Sequence, residues 1–182
     1  MRITRIFTKH SINYLIEINE KRLLVDCSCE LEELEKLTSS LDAIVLSHGH
    51  FDHFFSLEQV QKRYGCAVYM HKNAIAKLSD ARLNASKYFS MPVECNLARQ
   101  DCVFIKEGKQ KIADVPVEIF FAPGHTDDSI LLLICNVLFV GDFVFENTYG
   151  RTDLPTGNFV HMQNSLKKYK KLISECVVCS GH

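Results

Sequence analysis

Runs rich in β-branched and other apolar residues open the chain and predict three consecutive β-strands, at 2–7, 12–18 and 22–25. The triplet Asn19-Glu20-Lys21 is short and polar, so it predicts a tight connection between the second and third of these strands. The fold is therefore expected to begin with strands that are joined by short turns.

Helical and strand-like patterns follow along the rest of the chain. Leu31, Leu34 and Leu37 recur at every third position, which is typical of an amphipathic helix. Gly65 follows another helical stretch and is a good residue to end it. The same reasoning predicts helices at 30–37, 54–64, 71–78 and 158–173, and strands at 43–46, 67–69, 115–121, 130–134, 137–140 and 177–178.

Strands with attached helices dominate both halves of the chain. This distribution predicts an α+β fold in which two packed sheets are covered by helices. The length of 182 residues fits a single domain that spans 1–182. The segment 80–101 has the weakest pattern of all, and we hypothesise that it forms a wall of the binding pocket.

The charge balance argues against nucleic acid as a partner. The chain has 21 Lys and Arg against 22 Asp and Glu, so it lacks the basic surface that phosphates would reward. A local run of lysines at 167–171 is interpreted as the solvated face of a helix. No stretch of 18 apolar residues occurs, so no membrane partner is expected.

The cysteines and the N-terminus together predict a cytoplasmic location. Residues 1–7 resemble a strand and lack the long apolar region of a signal peptide. The chain has eight cysteines, several of them inside apolar runs, which is typical of small buried residues in a reducing compartment.

Four potential metal ligands lie together directly after a predicted buried strand, where residues 48–53 form the pattern H-x-H-x-D-H. Residues two apart in an extended segment point the same way, so His48, His50 and Asp52 can converge, while His53 lies at the turn into the next helix. This many imidazole and carboxylate groups are costly to bury without a cation to coordinate them. Such ligands suit zinc best, with iron and manganese also possible.

This motif resembles the signature of the metallo-β-lactamase superfamily, and further segments similar to that family follow in the expected order. Pro-Gly-His-Thr, Gly-Asp and Gly-His segments resemble those that supply additional ligands, here His125, Asp142 and His182. The resemblance covers essentially the whole chain. It implies a four-layer αβ/βα sandwich with the site at one edge, between the two sheets.

The resemblance also implies a site for two divalent metal ions, most simply Zn²⁺. One ion would take His48, His50 and His125, the second would take Asp52, His53 and His182, and Asp142 would bridge both. A hydroxide shared by the two ions would then attack a carbonyl carbon. Asp52 and Asp142 are accordingly the expected catalytic residues, with Asp52 a possible proton acceptor.

The stretch Gly-Arg-Thr-Asp-Leu-Pro at 150–155 resembles the glyoxalase II-like branch, which hydrolyses thioesters such as S-lactoylglutathione. In that branch a basic residue near this position contacts substrate, so Arg151 is a candidate for binding a carboxylate or carbonyl oxygen. Pairing of Arg151 with Asp153 is the alternative interpretation. Tyr149 is a second candidate for the same pocket.

Two other activities stay open at this point. A persulfide dioxygenase of the same fold would use one iron ion held by His48, His125 and Asp142, and a nucleic-acid hydrolase is disfavoured by the charge balance.

Two features of the sequence depart from the family. Asp128 lies where relatives often have glycine. The sequence ends at His182, and we therefore expect no helical glutathione-binding domain of the kind found in two-domain glyoxalase II. The oligomeric state is left open.

Overall fold

Two β-sheets form the centre of the computed structural model, which describes residues 1–182. In chain order the strands are β1 (Arg2–Phe7), β2 (Ile12–Ile18), β3 (Lys21–Val25), β4 (Ala43–Val45), β5 (Ala67–Met70), β6 (Cys102–Phe104), β7 (Gly108–Ile112), β8 (Val115–Phe121), β9 (Ile130–Ile134), β10 (Val137–Gly141) and β11 (Val177–Ser180). The first sheet has the order β1-β2-β3-β4-β5-β6, and the second has the order β11-β10-β9-β8-β7.

Strand direction divides each sheet into two parts. In the first sheet β1, β2 and β3 are antiparallel neighbours, whereas β3 to β6 run parallel. In the second sheet β7 to β10 are antiparallel neighbours and β11 runs parallel to β10. It follows that β8, β10 and β11 all point the same way, so their carboxyl ends meet at one edge.

Five α-helices cover the outer faces of the sheets. They are α1 (Leu31–Leu37), α2 (Phe51–Phe54), α3 (Leu57–Tyr64), α4 (Ala74–Leu78) and α5 (Phe159–Glu175). The first four pack their apolar side chains on the outer face of the first sheet, while α5 packs Met162 and Tyr169 on the outer face of the second. None of these helices is both long and apolar enough to cross a lipid bilayer.

The main core lies between the two sheets. Leu23 and Val45 of the first sheet belong to the same buried cluster as Ile119 and Phe139 of the second. With the two outer clusters this gives four layers, helices–sheet–sheet–helix, so the α+β sandwich predicted from the sequence is confirmed.

Local sequence signals account for several element boundaries. Asn19 and Glu20 both adopt positive φ, as a tight two-residue hairpin turn requires. Gly65 ends α3 in the left-handed conformation with φ 63°. The side chain of Asn158 accepts a hydrogen bond from the backbone N–H of His161 and so caps α5.

The helix predicted at 54–64 is wrong in its extent, because the structure has two shorter helices in this region. Between the two helices, backbone groups that would bond within a continuous helix form hydrogen bonds with the backbone of Cys27. Its N–H donates to the carbonyl of His53 and its carbonyl accepts from the N–H of Ser56, at 2.7 and 3.0 Å. The break lets α2 carry ligand residues at an angle that is independent of α3.

Strands β6 and β7 were not predicted. β6 has only three residues, and β7 is a polar edge strand whose Lys109 and Lys111 are exposed. The weakly patterned segment 80–101 contains two short 3-10 helices, Ser86–Phe89 and Arg99–Asp101. All eight cysteines are free, and six of them are buried.

Candidate metal centre

The seven residues predicted as ligands are brought together at one edge of the sandwich. His48 and His50 follow β4, and Asp52 and His53 lie on α2 directly after them. The other three follow the carboxyl ends of β8, β10 and β11, at His125, Asp142 and His182. Both sheets therefore contribute side chains to one site, as the resemblance implied.

A first cluster contains three buried imidazoles. His48, His50 and His125 are at most 3 % exposed, and each offers a ring nitrogen within 4.8 Å of the others. Nε2 of His125 lies 2.9 Å from Nδ1 of His50. Two nitrogen ligands of a tetrahedral zinc at about 2.0–2.1 Å would lie about 3.3 Å apart, so the rings are close to coordinating geometry.

Hydrogen bonds to neighbouring groups orient two of these rings. Nδ1 of His125 donates to the backbone carbonyl of Arg151 at 2.8 Å, which leaves the lone pair on Nε2. The hydroxyl of Ser47 donates to Asp26 at 2.8 Å and accepts from Nδ1 of His48 at 3.1 Å. In His48 too, the free lone pair is thereby on Nε2.

A second cluster combines two imidazoles with two carboxylates. Asp52, His53, Asp142 and His182 offer ligand atoms that lie within 4.8 Å of one another. Nδ1 of His53 donates to Asp26 at 2.8 Å, so its Nε2 faces Asp142 Oδ1 at 3.2 Å. Nε2 of His182 lies 3.4 Å from Asp52 Oδ2.

Asp142 lies between the two clusters. Its Oδ2 atom is 3.7 Å from Nε2 of His125 in the first cluster and 3.5 Å from Nε2 of His182 in the second. This position is the one that a bridging carboxylate would need. The residue follows Gly141, which takes φ 50°, and a Cβ atom added to this glycine would lie 2.5 Å from Ser47 Oγ. Only glycine fits at that approach of the two sheets.

The backbone also holds His182 in place. Gly181 donates to the carbonyl of Gly141 and accepts from the N–H of Ile12, at 2.8 and 2.7 Å. The Tyr14 hydroxyl donates to the carbonyl of Ser180 at 2.6 Å. The last strand is thus tied to both sheets immediately before the ligand.

The two clusters differ in their protonation. Burial lowers the pKa of His48 and His125, and burial together with the neighbouring His125 lowers the pKa of His50 to about 3. For His53 burial acts in the same direction, but the charges of Asp26 and Asp142 outweigh it and raise the pKa well above the usual value. The first cluster therefore offers neutral imidazoles, whereas in the second the ionised carboxylates favour protonated imidazoles at His53 and His182.

Three buried polar atoms in the two clusters test whether a metal fits. Nε2 of His48 is buried and has no hydrogen-bond partner, while Nε2 of His53 and Oδ1 of Asp142 are buried and have only each other, at 3.2 Å. Unpartnered polar atoms in a buried position are costly. Cations in the two clusters would coordinate all three atoms, so the residues present fit divalent metals.

Four of the seven candidate ligands, His50, Asp52, His125 and Asp142, line a cavity of about 290 Å³. Asp52 and Asp142 face it from the metal clusters, and Ala85 and Phe89 of the segment 80–101 form part of its wall, in line with our hypothesis for that segment. Arg151 lines the cavity as well. Tyr149 is 38 % exposed and is not among the lining residues, so its substrate role stays a prediction.

Two residues near the site have roles that we did not predict. Asp26 orients His53 directly and His48 through Ser47, although in the sequence it is only an acid at the end of an apolar strand. Lys77 is 1 % exposed, and its ammonium group contacts both Asp127 and Asp128. Its position in a short amphipathic helix gave no sign of burial.

Comparison with known proteins agrees with this geometry. The family model described as "Metallo-beta-lactamase superfamily" matches residues 11–182, and the chain belongs to this superfamily. "Probable metallo-hydrolase YqgX" of Bacillus subtilis is 33 % identical over 143 residues, which cover 77 % of this chain and 67 % of the relative. "Hydroxyacylglutathione hydrolase GloC" of Haemophilus influenzae is 27 % identical over 156 residues, covering 84 % and 73 %.

Solved structures support the same assignment. The BLEG-1 B3 metallo-beta-lactamase superposes with a TM-score of 0.89 at 26 % identity, covering 100 % of this chain and 91 % of that one. TTHA1623 in a di-iron-bound form gives a TM-score of 0.86 at 25 % identity, covering 100 % and 92 %. The protein is thus a member of a metallo-hydrolase superfamily with two candidate metal clusters.

Proposed function

We propose that this protein is a hydrolase that uses two divalent metal ions, most simply zinc, to cleave thioesters or related small acyl substrates. The observation that carries the proposal is the position of Asp142. Its carboxylate lies within 3.7 Å of a ring nitrogen in each cluster, so two ions held there would share it.

Two bound metal ions would supply Lewis acidity, by lowering the pKa of a water molecule towards neutrality and polarising a substrate carbonyl. Residues around the two clusters hold and orient the candidate ligands. Asp26, Ser47 and the Arg151 carbonyl fix three of the ligand rings, so little reorganisation is needed during the reaction.

Asp52 is the residue we propose as proton acceptor. Burial raises its pKa, but the hydrogen bond from His182 and the charges of His53 and His50 together lower it below the usual value, so the carboxylate is ionised at neutral pH. It also lines the cavity and its side chain is 23 % exposed, which gives it access to a water molecule. Across the reaction a C–O bond forms, the C–S bond breaks, and the proton passes from water to the thiolate.

The thioester class is supported by the relative named hydroxyacylglutathione hydrolase and by the Gly-Arg-Thr-Asp-Leu-Pro stretch at 150–155. The stretch folds over the site, since Gly150 lines the cavity and the carbonyl of Arg151 holds His125. Zinc ions would suit the nitrogen-rich donor set, and the di-iron-bound relative makes iron the competing choice.

The deciding experiment joins metal analysis to a substrate panel. Protein purified without added metal is expected to contain close to two zinc ions per chain and to hydrolyse simple thioesters faster than the matched oxygen esters. One iron ion per chain, with oxygen uptake on a persulfide, would replace the hydrolase with the dioxygenase. Two metals with activity only on a β-lactam would keep the metal site and refute the thioester substrate.

A further inference from the structure

A second chamber opens beside the metal cavity. It measures about 480 Å³ and is lined by Tyr88, Phe89, Arg151, Asp153, Leu154 and Pro155. Three of these residues, Phe89, Arg151 and Leu154, also line the metal cavity. The two spaces are therefore adjoining compartments of one cleft, and no ligand residue reaches the outer one.

The charges in this outer chamber cancel. Arg151 and Asp153 are its two charged residues, and they face each other through two hydrogen bonds, Nε to Oδ1 and Nη2 to Oδ2, both 2.7 Å long. A bidentate pair of this kind occupies the fork with which arginine would bind a carboxylate from substrate. A substrate anion here would have to displace Asp153 and then remain beside its negative charge.

The remaining surface of the chamber is aromatic and apolar. Tyr88 and Phe89 are 62 % and 53 % exposed, and because both line this chamber they form one continuous aromatic patch, which is the kind of exposed apolar surface that marks a binding site. Phe89 also packs against Phe51 at 5.6 Å between ring centroids, so its ring is supported from the metal side. Leu154 and Pro155 complete the apolar surface of the chamber.

We propose that the outer chamber binds a neutral, apolar arm of the substrate, such as an aromatic thiol group, and selects against the anionic arm of a glutathione thioester. This inference rests on the proposed function and specifies its substrate class. An aromatic arm would stack on Tyr88 and Phe89 while the reacting carbonyl lies in the metal cavity.

A matched pair of thioesters tests the preference. Lactoyl thioesters of benzyl mercaptan and of glutathione carry the same acyl group and differ in the arm, which is neutral and aromatic in the first and anionic in the second. We expect kcat/KM to be about tenfold or more higher for the benzyl compound, since the charged arm has no free partner. In Asp153→Asn the released Arg151 fork should raise kcat/KM for the glutathione compound and narrow this gap. Asp114→Asn, an exposed acid in the β7–β8 turn, is the matched control and should leave the ratio unchanged.

Binding measured without turnover separates this inference from the proposed activity. Calorimetry would compare two stable thioethers that carry the same acetonyl group in place of the acyl group, benzylthioacetone and S-acetonylglutathione, on the wild type and on Asp153→Asn. Tighter binding of the neutral compound, with the difference reduced in the variant, supports the chamber assignment even if no thioester is hydrolysed, in which case only the proposed function fails. Equal or tighter binding of S-acetonylglutathione to the wild type overturns the inference, whatever the activity.

Discussion

The carboxylate of Asp26 and the imidazole of His53 lie fully buried, with Oδ2 2.8 Å from Nδ1. This contact connects the end of β3 to the second metal cluster. The same carboxylate also accepts from the N–H and the hydroxyl of Ser47, whose hydroxyl orients His48. One buried acid thus sets the ring orientation of a ligand in each cluster.

Replacing that acid by its amide should weaken metal binding without unfolding the site. In Asp26→Asn the amide keeps the size but loses the negative charge, so it stabilises the Nδ1–H form of His53 less strongly. We expect metal affinity to fall about 10–100-fold, measured by competition with a chromophoric chelator. Asp42→Asn is the matched control. Asp42 directly precedes β4, whereas Asp26 follows the parallel strand β3, so the two acids lie at opposite ends of this strand pair. Asp42 accepts a hydrogen bond from the backbone N–H of Arg22. Equal affinity in both variants would contradict the role of Asp26.

Removing His182 should remove one metal ion and leave the other. The first cluster does not include this residue, whereas the second loses one of its four donors. Metal content of His182→Ala is expected to drop from two ions per chain to one. The control His161→Ala changes an exposed residue of α5 outside both clusters and should retain both. Two ions in His182→Ala would refute the assignment of this ligand.

Loading of the second cluster should depend on pH more steeply than loading of the first. The pKa of His53 is raised by Asp26 and Asp142, and that of His182 is raised by its bond to Asp52, so a cation must displace their protons. Affinity at this cluster should therefore increase as the pH rises, by about tenfold per pH unit for each proton displaced. His50, with a pKa of about 3, imposes no such dependence near neutrality. Zinc titrations on either side of pH 7 would show two binding steps, and equal pH slopes for both would contradict this.

The buried ammonium of Lys77 should matter to stability more than an ordinary surface lysine does. In Lys77→Met the carboxylate of Asp128, itself 1 % exposed, would lose its partner. Breaking a buried pair in this way costs about 3–5 kcal/mol of unfolding free energy, whereas an exposed pair is worth about 0–1 kcal/mol. Urea denaturation of Lys77→Met and of the control Lys21→Met, which removes the partly exposed pair with Asp42, tests the difference. A loss below that of the control would show that the pair contributes little.

The grouping of the candidate ligands was predictable because their spacing is local and chemically distinctive. Three histidines and an aspartate in the six positions 48–53 indicate a metal from the sequence alone, and the resemblance to the family added His125, Asp142 and His182. The orienting groups around them were not predictable in the same way. Asp26 is a lone acid after a strand, and the Arg151 group that holds His125 is a backbone carbonyl, which has no sequence signal.

The secondary-structure elements likewise divide into those with a local sequence signal and those without one. Strands such as β2 and β8 are rich in β-branched and aromatic residues, and their limits matched the prediction, while the polar edge strand β7 gave no such pattern. The break between α2 and α3 depends on hydrogen bonds to Cys27, which is distant in the sequence. Whether Arg151 would pair with substrate or with Asp153 was equally a matter of side-chain placement, and in the structure it pairs with Asp153.

The ligands and the outer chamber lie on different stretches of the chain. All ligand side chains stand at strand ends or on α2, whereas the chamber is built from the short helix at Ser86–Phe89 and the loop before α5. Substitutions of the side chains that line the chamber can therefore leave every ligand side chain unchanged. Duplicated copies of such a gene can diverge in the substrates they choose while inheriting the same reaction chemistry unchanged.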